Sequence, residues 1–361
     1  MTQKPTDPQL TRVIAAQLLA RAGTVSIESI SRPGGINHNY RVVTREHGTF
    51  HLKFHTASWY PDQAEADYAA HRALAVHELL RRVGLALPCQ AWVDDSHTIV
   101  PTAVYVATEM PGTDGLTLLW KHPCNRAAIL EAVGRYLRRL HNVEFTEGGT
   151  IGPQHAQAAS RCGRIGPVSP RVSVRDPDMM RLFHPEAFQE AALRQLDECG
   201  NHNLLDSRAV EATRRVLGTM AETIRPDYDP PRLILGNAHI SHLYMQNAAE
   251  GWQVSGCCDF EDVSAGDPLA DFMELETSLT PTFAWFDWRG PLFAGYGGRP
   301  RLESHKMRVL TFLLYALNGE DRKLVPDAAW LAEQWTCLLH ARTWTEFHWF
   351  PNATPDDERS P

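Results

Sequence analysis

Two stretches decide how this chain is read: "LILGNAHISHLYM", residues 233–245, and, after one turn-rich insert, "VSGCCDFEDVSAGDPLADF", residues 254–272. The first has the outline of a catalytic loop. The second is an apolar strand arriving at an acid, Asp259, where a metal-binding carboxylate would sit. Downstream, Pro268 restricts the turn after Asp267, and Leu269 and Phe272 can anchor a following helix.

Working outward, the amino-terminal part reads as a small lobe. Residues 11–22 predict a short helix, "VSIESISR" alternates like a strand, and "PGGINHN" follows as a glycine turn. "YRVVTR" and "TFHLKFH", separated by Glu46, His47 and Gly48, read as a β-hairpin or meander. Residues 62–83, rich in alanine and leucine, predict a long helix closed by Gly84 before Pro88. Further strands are expected around "CQAWVD" and "AVYVATEM".

"MPGTDG", residues 110–115, punctuates the chain and marks a boundary between residues 1–110 and 111–361. Beyond it, Ile129, Val133 and Leu137 recur at four-residue spacing and give an apolar helical stripe. More helices are expected at 186–199, 207–222, 302–318 and 327–342, so the second part is mainly helical. Residues 147–182, rich in glycine, proline, serine and arginine, offer little apolar surface against ordering entropy and read as a long loop or insert. Trp330, Trp335, Trp344 and Trp349 are expected to pack between helices.

A chain of 361 residues can bury a large core without staples. Its seven cysteines are odd in number and fall without regular pairing, which points to reduced thiols in a cytoplasmic protein and away from a zinc site. The first residues lack the apolar core of a signal peptide, and no 18-residue apolar run follows, so neither secretion nor a membrane span is expected. A formal charge of −8 argues against a general nucleic-acid surface.

The ordered set of glycine turn, strand lysine, long helix, lobe junction, a helix ending "LRRLH", a histidine-rich loop and "DFED" resembles the aminoglycoside phosphotransferase and choline kinase-like superfamily over roughly residues 25–340. The resemblance implies an α+β fold of two lobes, protein-kinase-like, with a small antiparallel β lobe and a larger helical lobe. It implies ATP and Mg2+, with Mn2+ as an alternative, and an alcohol acceptor held by the larger lobe. Gly34, Gly35 and Asn37 or Asn39 would then form the nucleotide loop, and Lys53 would neutralise phosphates. Glu65, in preference to Glu78, would orient that lysine, and Asp259 would hold the metal ion. Asp267 matches the downstream aspartate that braces the catalytic loop, and Asp271 is a second organising residue.

The loop itself departs from the family pattern, which resembles HGDxHxxN. Gly236 and His239 are retained, Leu235 replaces the first histidine, Asn237 replaces the acid, and His242 replaces the metal-binding asparagine. Asparagine cannot serve as a carboxylate base, yet a dissociative phosphoryl transfer asks little of its base. His239 is expected to support the loop. His242 is a candidate metal ligand, or a base if it reaches an acceptor hydroxyl.

Three functions follow. The first is an altered ATP-dependent phosphotransferase acting on the hydroxyl of a small molecule or natural product, with Glu261, Asp262, Glu274 and Glu276 available to attract a cationic acceptor. The second is a noncatalytic kinase-like protein that binds a nucleotide, metabolite or peptide and partners another protein. The third is an enzyme repurposed for a different reaction, with a biosynthetic peptide among its substrates. A serine hydrolase is disfavoured, since Ser241 has no nucleophile elbow.

Overall fold

The computed structural model describes residues 10–33, 38–56, 62–85, 90–152, 164–165, 184–259, 262–283, 285–318 and 335–347. Gly34, Gly35, Asn37, Glu261, Trp330 and Trp349 lie outside the described residues, as does most of the 147–182 insert.

The small lobe contains α1 (Arg12–Leu18), β1 (Ile27–Ser31), β2 (His38–Thr44), β3 (Gly48–His55), α2 (Gln63–Arg82), β4 (Ala91–Asp94) and β5 (Ala103–Thr108). Its strands form one antiparallel sheet in the order β1-β2-β3-β5-β4. Because side chains alternate along a strand, the sheet has two distinct faces. Leu52 and Phe54 join Val42, Phe50, Trp92, Val104 and Val106 against Leu18 and Leu19, in a core of their own. Lys53 points the other way, with Asn39 and Tyr105 as its cross-strand neighbours. Tyr105 and Ala107 on that second face share a core with Val76, Leu79 and Leu80 of α2. Asp62 starts α2 by accepting from the Glu65 N–H at 2.9 Å.

The chain crosses to the larger lobe through β6 (Thr113–Asp114) and α3 (Gly115–Lys121). There follow α4 (Arg126–His141), β7 (Glu144–Phe145), β8 (Gly149–Thr150), β9 (Arg164–Ile165), α5 (Pro185–Asn201), α6 (Ser207–Leu217) and α7 (Met220–Tyr228). Then come β10 (Arg232–Ile234), β11 (Leu243–Ala248), β12 (Gly251–Cys257), β13 (Ser264–Gly266), α8 (Leu269–Phe283), α9 (Arg289–Tyr296) and α10 (Leu302–Asn318). Residues 335–340 form a further helical segment. The architecture is two-lobed, an antiparallel sheet joined to a mainly helical lobe.

The expected stripe of Ile129, Val133 and Leu137 is fully buried in α4. The expected helix over 207–222 is two helices, because the chain breaks at Gly218 and Thr219 before α7 begins. Trp335 and Trp344 pack between helices: Trp335 donates to Thr213 Oγ1 at 2.7 Å, and Trp344 stacks edge-on to Phe293. Among the described residues the five cysteines are free thiols, and no helix is long and apolar enough to cross a membrane.

Two buried ion clusters tie the helices after Asp259 together. Asp267 caps α8 by accepting from the Leu269 N–H at 3.0 Å, and its other oxygen pairs with buried Arg308 of α10. Glu276 of α8 is fully buried, paired with Arg289 and, at 3.1 Å, with His305. Burial alone would raise the Glu276 carboxyl, but the Arg289 guanidinium and His305 hold it well below the usual carboxylate range. Glu276 therefore cannot attract an acceptor from solvent, as its acidity in the sequence had suggested.

Helices α4 and α9 cross closely. A Cβ added at Gly134 would collide with the Leu292 carbonyl, and one at Gly295 with the Glu131 carbonyl. Backbone on both sides leaves nothing to yield. Gly134→Ala should therefore cost about 2–3 kcal/mol of stability, measurable by denaturant unfolding, since overpacking a rigid crossing forces the helices apart.

Candidate active site

The loop after β10 is held from beneath. The backbone N–H groups of Leu235 and Gly236 donate to Asp271 Oδ2 and Oδ1, each at 2.9 Å. Asp271 is wholly buried in the first turn of α8, and its Oδ2 also receives His141 Nε2 at 3.1 Å. His141 is the last residue of "LRRLH" in α4 and is hydrogen-bonded through Nδ1 to the Tyr296 hydroxyl. Bracing of the loop thus falls to Asp271 rather than Asp267. The two lie four residues apart, and Asp267 is already committed to Arg308 and the α8 N-terminus.

Gly236 adopts a φ of +71°, and a Cβ there would press into the Asp262 carbonyl. Only glycine meets both conditions. On either side of it, Leu235, Ala238 and Ile240 are buried, whereas Asn237, His239 and His242 are partly exposed. The apolar residues anchor the loop and the polar ones line its open side.

Residues 240–242 make one tight 3₁₀ turn, which His239 starts. Its Nδ1 accepts from the Ser241 N–H at 3.3 Å and lies 2.7 Å from Ser241 Oγ. Burial, and then the neighbouring His242, lower the His239 pKa and favour the neutral ring. The His239 and His242 rings are tilted, with centroids 5.5 Å apart.

The β11–β12 hairpin brings the loop to Asp259. Leu243 pairs with Cys257, and the Cys258 N–H donates to the His242 carbonyl at 3.0 Å. Asp259 itself has a φ of +64°, a left-handed conformation unusual for a residue with a side chain. Its carboxylate meets two donors. Lys53 Nζ lies 3.0 Å from Oδ1 across the lobes, and Asn237 Nδ2 donates to Oδ2 at 3.1 Å. The structure therefore brings Lys53, Asn237, His242 and Asp259 into one connected set.

His242 Nδ1 lies 3.1 Å from the Asn237 carbonyl. A carbonyl only accepts, so the proton is on Nδ1, and in the neutral ring Nε2 carries the free lone pair. Cys258, beside Asp259, has its thiol pushed up to about 12 by burial and then by Asp259, so it is no nucleophile at neutral pH. Asn39 stands opposite Lys53 on β2. Glu65 is in the first turn of α2, and Glu78 pairs with Arg82 on the same helix at 3.9 Å. Among the described residues no three His, Cys, Asp or Glu side chains converge as a metal cluster.

A model of the phosphotransferase enzyme family, APH, matches residues 29–308. The chain belongs to this family. No curated protein matches the chain. Solved structures of the same fold include macrolide 2'-phosphotransferase MphH from Brachybacterium faecium, 17% identical, with a TM-score of 0.52 over 91% of this chain and 98% of that one. A second is the GDP and kanamycin complex of APH(2")-IIia, 14% identical, with a TM-score of 0.55 over 90% of this chain and 99% of that one. A third, macrolide 2'-phosphotransferase type I, is 15% identical with a TM-score of 0.53 over 88% and 96%. At these identities the likeness establishes the fold of the APH chain.

Glu274, one turn beyond Asp271 on α8, is a residue whose state the sequence did not disclose. Burial, with Asp271 and then Asp262 nearby, pushes its carboxyl up to about 7. A carboxyl raised in the folded state binds protons more tightly there than in the unfolded chain. Its stabilisation is therefore complete below the ordinary value of 4.5 and lost as pH rises through about 7. Glu274→Gln should raise stability by about 1–2 kcal/mol at pH 8 and change it little at pH 5, read from paired denaturant melts.

Proposed function

We propose that this APH chain is an ATP-dependent phosphotransferase-like protein that acts on the hydroxyl of a small molecule or natural product through altered loop chemistry. The observation that carries the reading is the Lys53–Asp259–Asn237 contact across the two lobes. A cation from the sheet and a carboxylate from the loop side meet where nucleotide phosphates would have to be neutralised.

The residues present fit a magnesium ion of the kind that takes one or two carboxylates and completes its shell with phosphate oxygens and water. Asp259 would hold it; such an ion neutralises charge developing on the phosphoryl oxygens. Lys53 would release Asp259 and turn to the phosphates, a short movement for a flexible ammonium. Gly34, Gly35 and Asn37 would cover them, and Glu65 would orient Lys53.

On the acceptor side, the transfer forms a bond between the acceptor oxygen and the γ-phosphorus, breaks the bond to the bridging oxygen, and releases ADP. The acceptor must also lose its proton. Asn237 can orient that hydroxyl but cannot take the proton. His242 Nε2 can, because Nδ1 is already committed to the Asn237 carbonyl. The same imidazole would favour manganese over magnesium if it turned toward the ion.

A second reading, nucleotide or metabolite binding without turnover, is favoured by one feature. The Asn237 amide spends a donor on Asp259, so the position that would carry the base serves the acid instead.

Isothermal titration of the protein with ATP in magnesium, in manganese and without metal tests the proposal. Saturable, metal-dependent binding is expected, weakened at least about tenfold by Lys53→Ala or Asp259→Ala, as loss of a charge-paired ligand contact implies. ADP release on adding hydroxylated acceptors, lost in His242→Ala, would support transfer over binding alone. Absence of saturable heat under every metal condition would count against both nucleotide readings.

A further inference from the structure

Lys53 is not the sole cation that the small lobe extends toward the Asp259 segment. Arg72, midway along α2, is buried, with Nε donating to the Ile151 carbonyl at 2.9 Å and Nη2 to the Val263 carbonyl at 2.7 Å. Both acceptors belong to the larger lobe. Ile151 follows β8 and Val263 precedes β13, and these two strands pair through Ser264 with Thr150 and Ala265 with Gly149. Arg72 therefore grips a two-strand corner at the end where its chains enter and leave.

That corner adjoins the candidate site on both sides. Val263 lies four residues after Asp259, and the carbonyl of Asp262 packs against Gly236, where no Cβ could fit. Displacing the 262–264 backbone would thus disturb the Asn237 loop and the carboxylate of Asp259 together. A buried guanidinium is costly unless its fork is filled, and bidentate capture of two separate carbonyls is a geometry that lysine cannot reproduce.

We infer that Arg72 is a positioning residue for Asp259: it ties α2 to the Asp259 segment, so that the small lobe sets the place of the acid through the helix as well as through Lys53. The inference rests on the nucleotide reading above for its functional consequence and on geometry alone for the tether. Any ligand that draws the lobes together would carry α2, Val263 and Asp259 as one unit. In this arrangement the helix contributes an arginine aimed at the acid's own segment, in addition to whatever carboxylate faces the lysine.

The test compares wild type with Arg72→Lys and Arg72→Met at a temperature where circular dichroism shows each folded. Two quantities are read: the ATP dissociation constant with and without magnesium, and backbone hydrogen exchange across residues 254–266. Loss of magnesium-dependent affinity by about tenfold or more in Arg72→Met, partial recovery in Arg72→Lys, little change without metal, and faster exchange in 259–264 would support the inference. A purely structural role would lower the melting temperature and leave the metal-dependent increment and the exchange pattern of the folded protein unchanged; that result would overturn it. If wild type binds no nucleotide, the functional reading fails separately. The exchange comparison then decides the tether, with unchanged protection in Arg72→Met refuting it. Should Arg72→Met not fold, Arg72→Lys supplies both readouts.

Discussion

Two peptide N–H groups at the end of β10, those of Leu235 and Gly236, point into the interior of the larger lobe, and the carboxylate of Asp271 receives both. Left without a partner, each would forfeit a hydrogen bond to water at a cost of about 1–3 kcal/mol. The same carboxylate accepts from His141, which is hydrogen-bonded in turn to Tyr296. One buried acid therefore links β10, α4, α8 and α9. The direction in which the loop leaves the strand follows from it, and so do the position of Gly236 against Asp262, the reach of Asn237 to Asp259, and the tautomer of His242.

Above this anchored loop, the small lobe contributes cations. Lys53 reaches Asp259 from the sheet, and Arg72 reaches the neighbouring backbone from the helix beneath that sheet. Their roles differ with their chemistry. Lys53 is a single charge on a flexible stem, able to leave one anion for another. Arg72 is a planar fork fixed on two carbonyls. The small lobe thus makes two chemically different contacts with the same segment, a side-chain ion pair to Asp259 and a hydrogen bond to the Val263 backbone.

The acids that follow Asp259 have been sorted by burial into separate tasks. Asp267 and Glu276 neutralise Arg308 and Arg289 inside the helical lobe, while the Glu274 carboxyl is raised by burial and then by its neighbours Asp271 and Asp262. A negative field cannot be counted from the sequence here, since the acids in the "GDPLADFMELE" run do not share one environment. Under the loop, the helices are joined by the Asp267–Arg308 and Glu276–Arg289 pairs and by the close glycine crossing of α4 and α9.

The two-lobed α+β architecture was legible in the sequence because periodicity and punctuation are local. Alternation gave β2, β3 and β5, alanine-leucine content gave α2, and a four-residue stripe gave α4. Of the residues that the order of strand lysine, histidine loop and strand-end acid singled out, Lys53, Asn237, His242 and Asp259 come together in the structure. Partnership was not legible in that order. That Asp271 rather than Asp267 holds the loop depends on which face of α8 turns inward, a choice made by the Asp267–Arg308 pair 41 residues apart in the chain. That His141 supports the loop, that His242 shows its Nε2 lone pair, and that Arg72 crosses between lobes depend on contacts 5 to 191 residues apart. Composition and spacing determine which groups a chain possesses; only packing determines which of them face one another, because that is set by the sum of all the surfaces buried at once.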